Sequence, residues 1–253
     1  MDNGDEGKYL YCIIAAKKPK SFGPIGIGER GDEVYTVHYK DLAVVVSNSP
    51  IITYAPTKTY ALAHEKVIAE VMKEYTVIPI SFGVICSNDD EIHVLVKHAY
   101  KEIKKVLPSL KNRIELGLKV FWKKESFAGE IEKGDKEIAR LKQEIASKPP
   151  QKTYYDKINL GTLVQSAVEE KRRLLTEEIY DHLKDFAVDS RLNDCVGVRM
   201  VINSAYLVER DREPKFDEEV NKLYLKYSDR LVFKYSGPWP PYNFIGIKLK
   251  FEE

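Results

Sequence analysis

The chain has 253 residues, of which 43% are hydrophobic and 31% charged, with 40 Lys+Arg set against 39 Asp+Glu. This composition excludes general disorder, and because the two signs balance separately within 1–122, 123–148 and 149–253, no segment offers the basic field that nucleic acid or an anionic membrane surface demands. No run approaches the ~18–20 apolar residues of a membrane span, and MDNGDEG at the start is acidic rather than signal-like.

Cys12, Cys86 and Cys195 form no CxxC pair and no zinc spacing. They read as reduced residues of a cytoplasmic protein. At about 100–150 residues per domain, the length predicts two domains.

Tyr9–Ala16 is an apolar, β-rich run that predicts a buried central strand. Gly23-Pro-Ile-Gly-Ile-Gly28 follows. It lacks the G-x-G-x-x-G pattern and a following helix, so it reads as a turn between strands rather than a phosphate cradle. Val34–His38 and Leu42–Ser47, flanking Tyr39-Lys-Asp41, predict an antiparallel hairpin. Tyr60, Ala63, Val67, Val71 and Met72 recur at helical spacing over 57–74. Val77–Ile80 and Phe82–Ile85 are short extended pieces interrupted by Pro79 and Gly83. Asn88 and Glu91 predict a capping box for a helix with Ile92, Leu95, Val96, Ala99, Ile103 and Val106 on one face, stopped by Pro108. The strand Leu116–Trp122 closes a first domain, 1–122.

Residues 123–148 are half charged, and 123–150 read as a helical linker with Ile131, Ile138, Leu141 and Ile145 as apolar anchors, ended by Pro149-Pro150. A long helix bearing Leu160, Val164, Val168, Leu175, Ile179, Leu183 and Phe186 near one face follows. Strands are expected around Phe186–Val188 and Val196–Asn203, then a helix opened by Pro214, then the strand Leu231–Tyr235. Counted with Leu116–Trp122, the order is the β-α-β-β-α-β of a ferredoxin-like sheet. The expected class is α+β in two domains, an N-terminal mixed or antiparallel sheet with helices (1–122) and a C-terminal ferredoxin-like domain (123–253).

No catalytic residue, metal or cofactor is expected. His38, His64, His93, His98 and His182 include no i, i+4 pair, and no G-x-S-x-G announces a nucleophile. Ile80–Ile85 faintly echoes an RNA-recognition motif but lacks its basic residue and flanking aromatics. The unusual stretch is Gly237-Pro-Trp-Pro-Pro-Tyr-Asn-Phe244, which runs on toward Phe251. Pro238, Pro240 and Pro241 fix φ and bias their neighbours to extended geometry, so Trp239, Tyr242 and Phe244 lose little entropy on contact. The rings either form a partner surface or fold back to cap the core of their own domain; the two readings are compatible.

Arg230–Phe244 resembles the C-terminal signature of the gas vesicle protein F/L family, Thr/Ser-Gly-Pro-Trp-Pro-Pro-Tyr-Ser/Asn-Phe. Tyr9–Ile14 resembles the family's opening strand, Asp41–Ser47 its next motif, His64-Glu65-Lys66-Val67 its His-Glu helix, Ile78–Gly83 its Pro-x-x-Phe-Gly turn and Glu115–Trp122 the strand closing its first half, all in the family's order. Ser81 departs from the Arg that many members place before the Phe-Gly pair, and Ser cannot replace a guanidinium fork.

The resemblance implies a non-enzymatic, cytoplasmic, vesicle-associated accessory protein for gas vesicle assembly, whose partners are the small hydrophobic shell protein and other accessory proteins. The residues implicated are Gly237, Pro238, Trp239, Pro240, Pro241, Tyr242 and Phe244, with Phe82 and Gly83 in the first domain. The alternative is a ferredoxin-like enzyme or small-ligand protein. A cleft with converging perturbed acids or histidines would favour that alternative, and a shallow apolar surface the assembly factor.

Overall fold

In a computed structural model that describes residues 6–28, 30–132 and 136–247, the chain adopts a mixed α+β fold with two sheets. Its contacts divide it into two compact units, Met1–Glu115 with Pro238–Glu253, and Leu116–Gly237. A single cut after Trp122 does not reproduce this division. The proline-rich tail belongs with the first unit rather than with the unit that precedes it in sequence.

The first unit contains β1 (Glu6–Ala15), β2 (Ser21–Gly23), β3 (Val34–Tyr39), β4 (Leu42–Pro50), α1 (Lys58–Val71), β5 (Val77–Pro79), β6 (Ile85–Cys86) and α2 (Asp89–Val106). Its sheet runs β2-β3-β4-β1-β5, with β6 also pairing β1. β1 is antiparallel to β4 on one side and to β5 and β6 on the other. A strand paired on both edges has its backbone fully satisfied, and β1 accordingly buries nearly every residue instead of alternating. A register shift between Leu10 and Cys12 marks a bulge in its pairing with β4.

Two caps set the helices. The Thr57 side chain accepts from the Tyr60 N–H at the start of α1, and that of Asn88 accepts from the Glu91 N–H at the start of α2. The return bond of the expected capping box goes one residue earlier, from the Ser87 N–H to Glu91 Oε2 at 2.7 Å. Asp89, Asp90 and Glu91 in the first turn of α2 and Lys104 and Lys105 in the last complement its macrodipole.

The second unit holds most of β7 (Arg113–Trp122), then α3 (Lys124–Glu132), α4 (Lys136–Ser147), α5 (Tyr154–Lys184), β8 (Asp189–Leu192), β9 (Met200–Glu209), α6 (Glu213–Tyr227) and most of β10 (Leu231–Trp239). The sheet order is β10-β7-β9-β8. The charged stretch 123–150 is two helices inside this unit rather than a linker, because Ile131, Ile138 and Leu141 are buried; 133–135 lie outside the described residues.

β8 begins after the expected Phe186–Val188, and β9 runs past Asn203. Val196 and Val198, which suggested an earlier start for that strand, are 76% and 65% exposed in the loop before it. Ser204, one residue past the expected strand, is buried and donates its hydroxyl to the Leu118 carbonyl at 3.1 Å. The last strand runs past the expected Leu231–Tyr235 through Trp239, and the tail then makes a 3-10 turn over Tyr242–Phe244. The end of the expected apolar run, 248–251, lies outside the described residues.

Candidate functional site

The first unit's core is an aromatic cluster built on β1. Tyr9 is fully buried, and its ring meets Tyr54 edge-on at 5.5 Å and Phe82 at 6.4 Å between centroids. Its hydroxyl accepts from the Gly83 N–H at 2.9 Å and lies 3.0 Å from His64 Nδ1. While accepting from Gly83, the hydroxyl can still donate its own proton to Nδ1, the pairing that goes with the Nε2–H tautomer of His64. Burial pushes the His64 pKa down to about 4, since a second ring proton would have to be charged in a dry, aromatic pocket. Tyr11 does a parallel service for the glycine-rich loop, accepting from the Ile27 N–H at 2.7 Å, so that loop is held as an inter-strand turn.

Two carboxyls anchor the proline-rich tail. Tyr242 donates its hydroxyl to Glu65 Oε1 at 2.7 Å. Asn243 donates its backbone N–H to Glu115 Oε2 at 2.8 Å and its side-chain amide to Glu115 Oε1 at 2.6 Å. Burial raises both carboxyl pKa values, and the hydrogen bonds from the tail oppose that rise. Pro240 and Pro241 are buried, and the half-buried Tyr242 ring packs against the cluster of Tyr9, Cys12, Ile14 and Val67, as does Phe82. The tail therefore caps the first unit's core and not that of the unit it follows.

Trp239 is 36% exposed, Phe244 half-buried, and Pro238 and Gly237 exposed, Gly237 at φ 137°. Of the residues singled out in the sequence, the structure thus brings Tyr242 and Phe82 onto one core. It does not gather the whole Gly237–Phe244 stretch into one exposed patch.

Beside that core lies an open groove of about 480 Å³ with Ile51, Ile52, Thr53, Tyr54 and Pro56 on one wall and Phe82, Gly83 and Ile85 on the other. Ile51 and Ile52 are 46% and 53% exposed. No charged residue occurs between Asp41 and Lys58, or between Glu74 and Asp89, in a chain that is 31% charged. Burial accounts for the absence in β4 and β5, but not in the exposed Ile51–Thr53, Ser81 and Gly83. Ile51 and Ile52 escaped the motif reading; those two charge-free runs were the available signal.

Gly83 sits at φ 86°, and a Cβ there would meet nothing within 4 Å. Gly83→Ala is accordingly expected to lower stability by about 1 kcal/mol through backbone strain alone, read by urea denaturation, without filling the groove.

His64, Glu65 and Glu115, whose pKa values burial shifts, do not line the groove and are engaged in holding a turn and a tail. Among the described residues no group of three or more His, Cys, Asp or Glu is placed to hold a metal ion, and no helix is long and apolar enough to cross a membrane.

The family described as gas vesicle synthesis protein GvpL/GvpF matches residues 7–246. Gas vesicle protein F1 of Halobacterium salinarum is 28% identical over 225 residues, covering 88% of this chain and 85% of its own length. Gas vesicle protein F of Microcystis aeruginosa is 24% identical over 242 residues, 94% and 97% of the two chains. Gas vesicle protein L of a Streptomyces species is 26% identical over 195 residues, 74% and 69% of the two. The crystal structure of the gas vesicle protein GvpF from Anabaena sp. PCC7120 shares the fold with a TM-score of 0.81 at 21% identity, covering 96% of this chain and 99% of that one. With the family's match running from β1 to the turn that closes on Glu115, the chain belongs to the gas vesicle synthesis protein GvpL/GvpF family.

Proposed function

We propose that this protein is a non-enzymatic accessory factor for gas vesicle assembly that holds the small hydrophobic shell protein through the groove between Ile51–Pro56 and Phe82–Ile85. The family supports the vesicle role, and the observation that carries the groove assignment is its uncharged lining. A shell whose inner face excludes liquid water is apolar, so its free subunits expose apolar area that aggregates unless covered. An apolar contact of about 500 Å² returns on the order of 12 kcal/mol, from which association removes at least about 4. The remainder, at most about 8 kcal/mol, corresponds to reversible binding no tighter than roughly micromolar, which needs no nucleotide for release.

On this reading the Gly237–Phe244 stretch acts mainly as a brace, through its buried Pro240, Pro241 and Tyr242, and the protein works in the cytoplasm at the growing vesicle, with other accessory proteins as further partners. The reading of the second unit as ferredoxin-like is supported by the order β10-β7-β9-β8 and by α-helices that, among the described residues, fall only between β7 and β8 and between β9 and β10, three in the first crossover and α6 in the second.

The test is co-purification of the co-expressed shell protein with Ile52→Asp and Trp239→Ala variants, each checked by circular dichroism. Ile52→Asp is expected to abolish co-purification with an unchanged spectrum, because Ile52 is more than half exposed, whereas Trp239→Ala retains it. Wild-type recovery of shell protein by folded Ile52→Asp would dismiss the groove.

A further inference from the structure

Behind the lining of the groove, one side chain links its two walls. Tyr9 touches the Tyr54 ring on one wall and the Phe82 ring on the other, and is itself fully buried. The Tyr54 wall has its own support, a 3.0 Å hydrogen bond between the Tyr54 and Ser49 hydroxyls and an edge contact with Tyr60 at 5.1 Å.

The Phe82–Gly83 wall is a turn hung from β1. The Ile80 N–H donates to the Tyr11 carbonyl at 2.8 Å, the Leu10 N–H to the Val84 carbonyl at 3.0 Å, and the Gly83 N–H to the Tyr9 hydroxyl at 2.9 Å. The first two are backbone bonds that any sequence could make. The third depends on a side chain, and the orientation of that hydroxyl depends in turn on His64, whose ring also stands edge-on to Phe82 at 5.9 Å.

We infer that His64, acting through the Tyr9 hydroxyl, is a positioning residue for the partner groove: it fixes the Phe82–Gly83 wall at the spacing that receives an apolar segment of the shell protein. The inference rests on the groove reading above. A neutral His64 gives Tyr9 its acceptor, the Tyr9 proton is thereby committed, and the oxygen lone pair faces the Gly83 N–H. Without that arrangement the turn keeps its two backbone bonds but loses the one made by Gly83, a lining residue of the groove. The neighbouring residue, Glu65, holds Tyr242, so one dipeptide on α1 serves both the groove wall and the tail.

The experiment uses the full chain and two readouts, amide hydrogen exchange at Gly83 by NMR and titration with the small shell protein. Tyr9→Phe, which keeps the ring and deletes the hydroxyl, is expected to speed Gly83 exchange at least tenfold and weaken shell-protein binding at least fivefold, with cooperative unfolding retained. His64→Leu is expected to do the same, and His64→Asn, which returns an acceptor near Nδ1, to restore both. Unchanged Gly83 exchange in Tyr9→Phe, or faster exchange with unchanged binding, overturns the positioning role. If the wild type itself fails to bind shell protein, it is the groove reading that fails, and the exchange measurement alone still decides whether His64 and Tyr9 set the turn.

Discussion

Tyr242→Ala is expected to lower the stability of the protein by about 3 kcal/mol, while Trp239→Ala, three residues away, costs less than about 1. The difference follows from where each ring lies. Tyr242 packs on the first unit's core and its hydroxyl bonds Glu65, so truncation opens a cavity and strips the donor from a partly buried carboxyl whose other oxygen, Oε2, is buried without a hydrogen-bond partner. Tyr242→Phe separates the two losses and is expected to cost about 1–2 kcal/mol, the part owed to the hydrogen bond. Trp239 already keeps 36% of its surface in water.

Urea denaturation followed by circular dichroism gives all three values. Equal losses for Tyr242→Ala and Trp239→Ala would mean that the tail is not anchored through Tyr242.

Lowering the pH from 7.5 to 4 is expected to cost up to about 3 kcal/mol of stability through His64 alone. Its pKa is about 4 in the folded protein against 6.5 for an unburied histidine. Below 6.5 the unfolded chain therefore binds a proton that the folded chain refuses, stability falls across this window, and the loss levels off once both states are protonated.

Glu65 and Glu115 work in the opposite direction. Their folded values are raised above 4.5, so the folded state takes up protons first and these two groups favour folding as the pH falls toward 4.5. Comparing wild type with His64→Asn isolates the histidine. The variant's stability profile is expected to be flatter between pH 6.5 and 4, and parallel profiles would show that His64 titrates normally.

What was legible in the sequence was local. The apolar run of β1, the caps at Thr57 and Asn88 and the helix faces after them are repeating or adjacent patterns, and the structure places them where such patterns predict. The family's motifs were legible for the same reason, as short strings in order.

The tail's partner was not legible, because Tyr242 meets Glu65 across 177 residues and Asn243 meets Glu115 across 128. A polar residue waiting for a distant donor looks the same in sequence as one facing water. Glu115 reads as part of a strand, and only its burial at 5% exposure and its two bonds to Asn243 reveal its role. The exposed loop around Val196–Val198 misled in the other direction, since apolar residues on a surface carry the same period as residues in a core.

The separation between Glu115 and its tail partner also has a consequence for how the molecule is made. During synthesis the first unit emerges with its sheet and both helices present, yet Glu65 and Glu115 lack the donors that later hold them. Translation at roughly 5–20 residues per second leaves that surface open for on the order of ten seconds while the whole second unit is produced. In that interval the nascent first unit exposes an apolar face of its core that Pro240, Pro241 and Tyr242 will cover. Completion of the first unit is thus tied to synthesis of Pro240–Asn243, and a chain truncated before Tyr242 leaves its earlier-made unit the unfinished one.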